Sequence, residues 1–189
     1  MIAAIVLAAG LARRMGRQKL LLDLDGKPLV RWSVEALLPH VDDVVVVTGH
    51  EASAVRGALA DLPVRFAHNE TPDRGQGSSI AVGASALADG TRATFVALGD
   101  QPRVPSAVTI ALLDAFAWSR RPIVAPVYQG VQGTPVLFGA DVLPELAALT
   151  GDTGARAIVA ADPERVERVA FDFPMPLDVD TPEDYARLE

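Results

Sequence analysis

The stretch Ile2-Ala3-Ala4-Ile5-Val6-Leu7 runs straight into Ala8-Ala9-Gly10-Leu11-Ala12-Arg13-Arg14-Met15-Gly16-Arg17-Gln18-Lys19. Its first six residues are apolar without alternation, the pattern of a central strand covered on both faces. Similar runs recur at 44–48, 64–67, 94–98 and 123–127. Helical patterns lie between them: one from Pro28 to about residue 38, then 51–60, 78–88 and 106–118. Pro28 suits the first position of a helix. This alternation predicts an α/β chain with a mostly parallel central sheet flanked by helices. The last third is less regular, with a strand at 135–138, helices at 142–149 and 153–161, and a strand at 166–171. Thr181-Pro182-Glu183-Asp184 then supplies the N-cap, first-position proline and first-turn acids of a final short helix.

No Pro-, Gly- or Ser-rich linker divides the 189 residues, so one domain over 1–189 is expected. The absence of cysteine excludes a disulfide scaffold, a Cys-ligated zinc site and a thiol nucleophile. His40, His50 and His68 are too scattered for a zinc cluster. The apolar start is too short to span a membrane and lacks the basic flank of a signal peptide. A cytoplasmic protein with no membrane partner is therefore expected. With 17 basic and 24 acidic side chains the net charge is −7, a poor match to nucleic acid. That total alone also opposes any polyanionic ligand, yet the loop after the first strand says otherwise.

Ligands of parallel α/β sheets bind beyond the carboxyl ends of the strands, and the loops there carry the candidate residues. In the first, Leu7, Ala8, Ala9 and Gly10 are small enough at 8–10 to let backbone approach a ligand. Arg13, Arg14, Arg17 and Lys19 then place four positive charges in seven residues, suited to phosphate oxygens. The loop matches neither the dinucleotide glycine fingerprint nor a P-loop. After residues 94–98, Gly99-Asp100-Gln101-Pro102 puts a carboxylate where a Mg²⁺ ion serving a phosphate substrate would sit, although Asp is also an ordinary turn residue. Asp178 and Asp180 share one side of an extended Asp178-Val179-Asp180. Helix capping explains neither, so they are candidates for a second metal contact, Asp180 before Asp178. Arg74-Gly75-Gln76-Gly77-Ser78-Ser79 offers glycines and hydrogen-bonding groups at a helix start. An N-cap by Ser78 or Ser79 accounts for the same residues. Gln132-Gly133-Thr134-Pro135 and Gly151-Asp152-Thr153-Gly154-Ala155-Arg156 border a possible second substrate, with Arg156 badly placed for its helix dipole. His50 is assigned no catalytic role.

Taken in order, Leu7-Ala8-Ala9-Gly10, Arg13-Arg14-Met15-Gly16, Lys19, Gly99-Asp100-Gln101-Pro102 and Asp178-Val179-Asp180-Thr181-Pro182-Glu183-Asp184-Tyr185 resemble the molybdenum-cofactor nucleotidyltransferases. The 75–79 and 151–156 segments resemble that group too. The resemblance implies a Rossmann-like nucleotidyltransferase fold and transfer of a nucleotide monophosphate from an NTP to the terminal phosphate of molybdopterin, with release of pyrophosphate. It implies Mg²⁺ as cofactor, with Mn²⁺ as a substitute. Arg14, Lys19 and Asp100 are then the catalytic residues, Arg14 and Lys19 on the triphosphate and Asp100 on the metal with Asp180. The nucleotide is implied to lie on Leu7, Ala8, Ala9, Gly10, Arg13, Arg14, Lys19, Gly75, Gln76, Ser78, Ser79 and Asp100. The acceptor is implied to lie on Gln101, Gly133, Thr134, Pro135 and Arg156. Ala8-Ala9-Gly10 resembles the cytidylyl branch, which implies CTP and a recipient of the molybdenum hydroxylase type. Thr134 departs from the His that this branch often has. GTP, another phosphate acceptor, or a non-catalytic carrier of a nucleotide-linked cofactor are the alternative readings. A phosphate acceptor is already largely ionised near neutral pH and needs no general base.

Overall fold

A computed structural model describes residues 1–10, 18–152 and 154–188. Among these, ten strands occur: β1 Ile2–Ala8, β2 Asp23–Leu24, β3 Lys27–Pro28, β4 Asp43–Thr48, β5 Arg65–His68, β6 Ala93–Leu98, β7 Ile123–Tyr128, β8 Val131–Gln132, β9 Val136–Gly139 and β10 Val166–Phe171. The α-helices are α1 Leu29–Glu35, α2 Ala52–Ala58, α3 Gln76–Ser85, α4 Ser106–Trp118, α5 Leu143–Ala147, α6 Arg156–Ala161 and α7 Pro182–Ala186. The main sheet has the order β10-β7-β9-β6-β1-β4-β5, with β8 paired to β7. Strand β1 is parallel to both neighbours, β4 and β6. The chain leaves β1 towards β4 and β5 and later returns to its other edge as β6. The crevice at that reversal, beyond the carboxyl ends of β1 and β6, is where such sheets bind ligands.

Side-chain alternation gives each sheet face its own core. Ala4 and Val6 of β1 pack with Val30 and Val34 of α1, Val55 of α2, and Val108 and Leu112 of α4. Ile5 faces the other way, with Ile80 of α3, Leu146 of α5 and Val159 of α6. All three β1 residues are fully buried, as the continuous apolar run requires. The expected mostly parallel sheet is therefore present, with two antiparallel strands. Strand β9 is antiparallel to both β6 and β7 and lies between them, and the short β8 is antiparallel to β7.

Several element boundaries differ from the sequence reading for local reasons. Pro28 closes β3 instead of opening a helix, and α1 begins at Leu29. The helix stops at Glu35 and a 3-10 turn, Leu38–His40, follows. Pro39 lacks an N–H and disfavours helical backbone at the residue before it. Helix α3 starts at Gln76 with Gly75 as its N-cap, so neither Ser78 nor Ser79 caps it. Helix α6 starts at Arg156, after Gly154 with φ +56°.

The β2–β3 hairpin was not foreseen. Asp25 (φ 51°) and Gly26 (φ 79°) form its two-residue turn, the Asp-Gly pairing that such turns favour. Leu22, Leu24 and Leu29 around it form a satellite core with Val179, whose side chain is fully buried. Trp32 Nε1 donates to the Leu24 carbonyl at 2.8 Å, and the Tyr185 hydroxyl donates to the Asp23 carbonyl. The Val179 N–H donates to the Asp100 carbonyl at 3.1 Å. Val179 thus pins the C-terminal segment to the end of β6. Val179→Ala is expected to lower stability by about 1–3 kcal/mol through the cavity it leaves. Urea unfolding of the two proteins checks this, and an unchanged midpoint would rule out the pinning role.

Candidate nucleotide site

Three chain segments meet at the crevice. Lys19 opens a 3-10 turn, Lys19–Leu21, anchored by the buried Leu20. Asp100 follows Gly99 at the end of β6. A Cβ on Gly99 would lie 2.8 Å from the Leu7 carbonyl oxygen, so only glycine lets β6 leave the sheet this close to β1. Asp180 comes from the segment that Val179 pins. The Lys19 ammonium lies 2.5 Å from Asp100 Oδ2 and 2.6 Å from Asp180 Oδ1. Burial pushes the Lys19 pKa down, but Asp100 and then Asp180 outweigh it and the net shift is upward. The ammonium is therefore firmly charged.

Asp178 stands beside this group. Because Val179 points into the satellite core, Asp178 and Asp180 both face the cleft, as their spacing predicts. Asp178 Oδ1 is buried without a hydrogen-bond partner. Burial first, and the charge of Asp100 second, push its carboxyl up to about 6. The crowding of carboxylates calls for positive charge, and hard oxygen donors suit Mg²⁺ or Mn²⁺. No cage of three or more His, Cys, Asp or Glu side chains converges among the described residues. That accords with an ion that takes one or two carboxylates and completes its shell with phosphate oxygens and water. The residues present thus fit such an ion.

Two hollows share Leu7, Gln76, Leu98 and Asp178 and form one continuous cleft. The first, about 370 Å³, is lined by Ala9, Gly10, Lys19, Gly75, Ser79, Asp100, Asp152 and Asp180 among others. The second, about 210 Å³, has apolar walls from Ile80, Val96, Val136, Val159 and Met175, with Thr134 and Arg156 among its polar groups. Asp178 lies where they join. Ala8 borders a smaller adjoining hollow with Gly49 and His50, and His50 Nε2 lies 3.3 Å from Asp73 Oδ2.

The acceptor residues read from the sequence divide. Gly133, Thr134 and Arg156 line the second hollow. Gln101 does too, but it is 2% exposed, and its amide is engaged at both ends. Thr134 Oγ1 donates to Gln101 Oε1, and Gln101 Nε2 donates to the Pro176 carbonyl at 3.3 Å. Gln101 is a wall, not a hand. Pro135 is not in this hollow at all; it borders a small apolar gap with Ser33, Ala36 and Leu37 on the opposite face of the sheet. Thr134, standing where a His was expected, also offers its carbonyl to the Tyr128 hydroxyl at 2.8 Å.

The 75–79 segment packs against protein as well as lining the cleft. Its glycines admit protein backbone as well as any ligand. A Cβ on Gly77 would lie 2.8 Å from Thr150 and Gly151 backbone atoms, and Gly77 N donates to the Gly151 carbonyl at 2.8 Å. Ser78 turns away from the cleft, donating to the Gly75 carbonyl at 2.8 Å. Asn69, 2% exposed, donates to the hydroxyls of both Ser78 and Ser79 at 2.9 Å. Asn69 and Met175 shape the site without being singled out by any sequence motif, and Asp152, expected to border a second substrate, lines the larger hollow. Asn69 directly follows β5, so the strand-end rule that found Asp100 could have found it. Arg13, Arg14, Arg17 and Thr153 lie outside the described residues.

An ammonium and carboxylates at the reversal point of a parallel sheet, with room beside them for a second reactant, fit a nucleotidyltransferase. Residues 4–168 match the MobA-like NTP transferase domain, and the chain belongs to that family. It is 29% identical to the molybdenum cofactor cytidylyltransferase of Escherichia coli K12, over 96% of this chain and 92% of that one. It is 32% identical to a protein named nicotine blue oxidoreductase from Paenarthrobacter nicotinovorans, over 99% and 96% of the two chains. The crystal structure of Rv0371c from Mycobacterium tuberculosis H37Rv superposes with a TM-score of 0.90 at 32% identity, covering 99% of this chain and 96% of that one. A manganese complex of the same protein gives a TM-score of 0.85.

Gly77→Ala is expected to part the 75–77 and 150–152 loops and to cost about 1–3 kcal/mol, because backbone, not a flexible side chain, receives the new methyl. Thermal unfolding and hydrogen exchange at residues 150–152 check this; wild-type behaviour in both would remove the loop-packing role.

Proposed function

We propose that residues 1–189 act as one cytoplasmic nucleotidyltransferase domain that transfers CMP from CTP to the terminal phosphate of molybdopterin, releasing pyrophosphate. The observation that carries the reading is the Lys19 ammonium clamped between Asp100 and Asp180 in a cleft that opens into a second hollow. The nucleotide lies in the larger hollow, on Leu7, Ala9, Gly10, Gly75 and Ser79, with Ala8 behind them and Gln76 shared with the acceptor side. Arg13 and Arg14, from the basic loop, join Lys19 on the triphosphate. Asp100 and Asp180 hold a divalent cation, Mg²⁺ or Mn²⁺, and Asp178 borders it. The manganese complex of Rv0371c supports a divalent ion of this kind. When bound, that ion supplies positive charge beside the α-phosphate.

The acceptor enters the second hollow, past Gly133 and Thr134, with Arg156 at its mouth to meet an anionic group. An oxygen of its phosphate attacks the α-phosphorus, a P–O bond forms there, and the bond to the β-phosphate oxygen breaks. No proton need leave the nucleophile at neutral pH. What the chain must do is bring two anions together, and Lys19 and the basic loop do so by neutralising the donor. The Ala8-Ala9-Gly10 sequence and the likeness to the Escherichia coli cytidylyltransferase support CTP. The resemblance to the cytidylyl branch implies a molybdenum hydroxylase as recipient. The relative named an oxidoreductase means that overall likeness does not by itself set the reaction; the carboxylate–ammonium cluster is what favours transfer.

Asp100→Ala should abolish transfer while leaving thermal stability close to wild type. Product formation from molybdopterin with CTP or GTP, in Mg²⁺, is the direct assay. No product with either nucleotide would sink the proposal, and GMP transfer alone would move it to the guanylyl branch. Lys19→Ala should reduce kcat/KM by about 10²–10³-fold, the usual loss for a group that meets charge developing in the transition state. An unchanged value would take Lys19 off the triphosphate.

A further inference from the structure

Lys19 touches both carboxylates assigned above to the divalent cation, at 2.5 and 2.6 Å. The chain's own ammonium therefore sits where that ion would have to meet Asp100 and Asp180. The seat is shielded on the Lys19 and Asp100 side, at 12% and 17% side-chain exposure, and open on the Asp180 side, at 48%. Charges there are less screened than at the surface. Lys19 offsets part of the negative charge that Asp100, Asp178 and Asp180 bring to this corner. A divalent ion seated on the same oxygens of Asp100 and Asp180 would have to displace the ammonium, so the two cations compete for one place. Lys19 has somewhere else to go. It lines the larger hollow with Gly10 and Gly75, so a triphosphate there offers the ammonium a stronger anion. A four-carbon stem allows that swing while Leu20 keeps the backbone anchored.

We propose that Lys19 is an internal placeholder for the divalent cation. A nucleoside triphosphate draws its ammonium off Asp100 and Asp180, so nucleotide and metal binding are positively coupled through this one side chain. This rests on the reading of Asp100 and Asp180 as the metal seat. By reciprocity, the metal tightens nucleotide binding by the same factor.

The test is Mn²⁺ binding, read from the electron paramagnetic resonance of free Mn²⁺, for wild type and Lys19→Met, with and without α,β-methylene-CTP. Without nucleotide, Lys19→Met should bind Mn²⁺ about tenfold tighter or more; with the analogue, the difference should shrink to about twofold or less, a coupling of about fivefold or more. A difference of the same size in both states would mean that Lys19 is merely a nearby charge, and would overturn the proposal. So would no difference without nucleotide. Asp100→Asn separates the two readings. If it leaves Mn²⁺ binding intact, the metal seat itself is wrong. If it removes binding while the Lys19→Met difference stays constant, only the placeholder is wrong. Wild-type protein gives an independent measurement, since Lys19 and Lys27 are its only lysines. With [ε-¹³C]lysine and Lys27→Arg for assignment, the Lys19 signal should shift when the analogue and Mg²⁺ are added. A signal that the nucleotide leaves unmoved would overturn the proposal in a protein whose site is unaltered.

Discussion

Strand β1 has protein on both faces and a strand on both edges, and this constraint decides where polar chemistry can occur. Ala3, Ala4, Ile5 and Val6 are all fully buried, so no charge can enter the sheet along them. The first position free of that constraint is the carboxyl end, where β1 gives way to Ala9 and Gly10. Strand β6 ends beside it, and Gly99 keeps the two chains close enough for Asp100 to emerge at the same spot. The carboxylate pair and the ammonium are there because it is the nearest place to the sheet's centre where water and ligand can reach.

Much of this was legible in the chain. Residues 2–7, 44–48, 94–98 and 123–127 read as covered strands because they carry no polar residue on either parity, Thr48 and Thr94 aside. Asp178 and Asp180 read as partners because alternate residues of extended chain share a side. What that spacing could not reveal is why the segment is extended there. Val179 is held by Leu22, Leu24 and Leu29, which lie about 150 residues earlier, and pattern within a window carries no information about such a contact.

Other misreadings share a cause. Glycines and serines at 75–79 were read for a ligand, and part of their demand comes from the 150–152 loop and Asn69. Gln101 and Pro135 adjoin cleft residues in sequence, yet one is locked into the wall and the other faces the opposite layer. Small and polar residues near strand ends serve loop packing as readily as binding, and only distances separate the two uses. The sequence pattern marks β9 as a strand but not its direction, because direction follows from connection length and hand, and here the link over 129–135 is short.

That direction bears on how the molecule assembles. Strand β9 lies between β6 and β7 although it is made after both. Strand β7 cannot dock at its final distance from β6 until a later stretch of chain has filled the gap. The β1-β4-β5 half needs only successive parallel crossovers, whereas the β9-β7-β10 half closes by insertion, and non-local pairing of that kind is slow. Val136, at the start of β9, walls the second hollow. The second hollow is thus walled in part by the strand that closes the sheet by insertion.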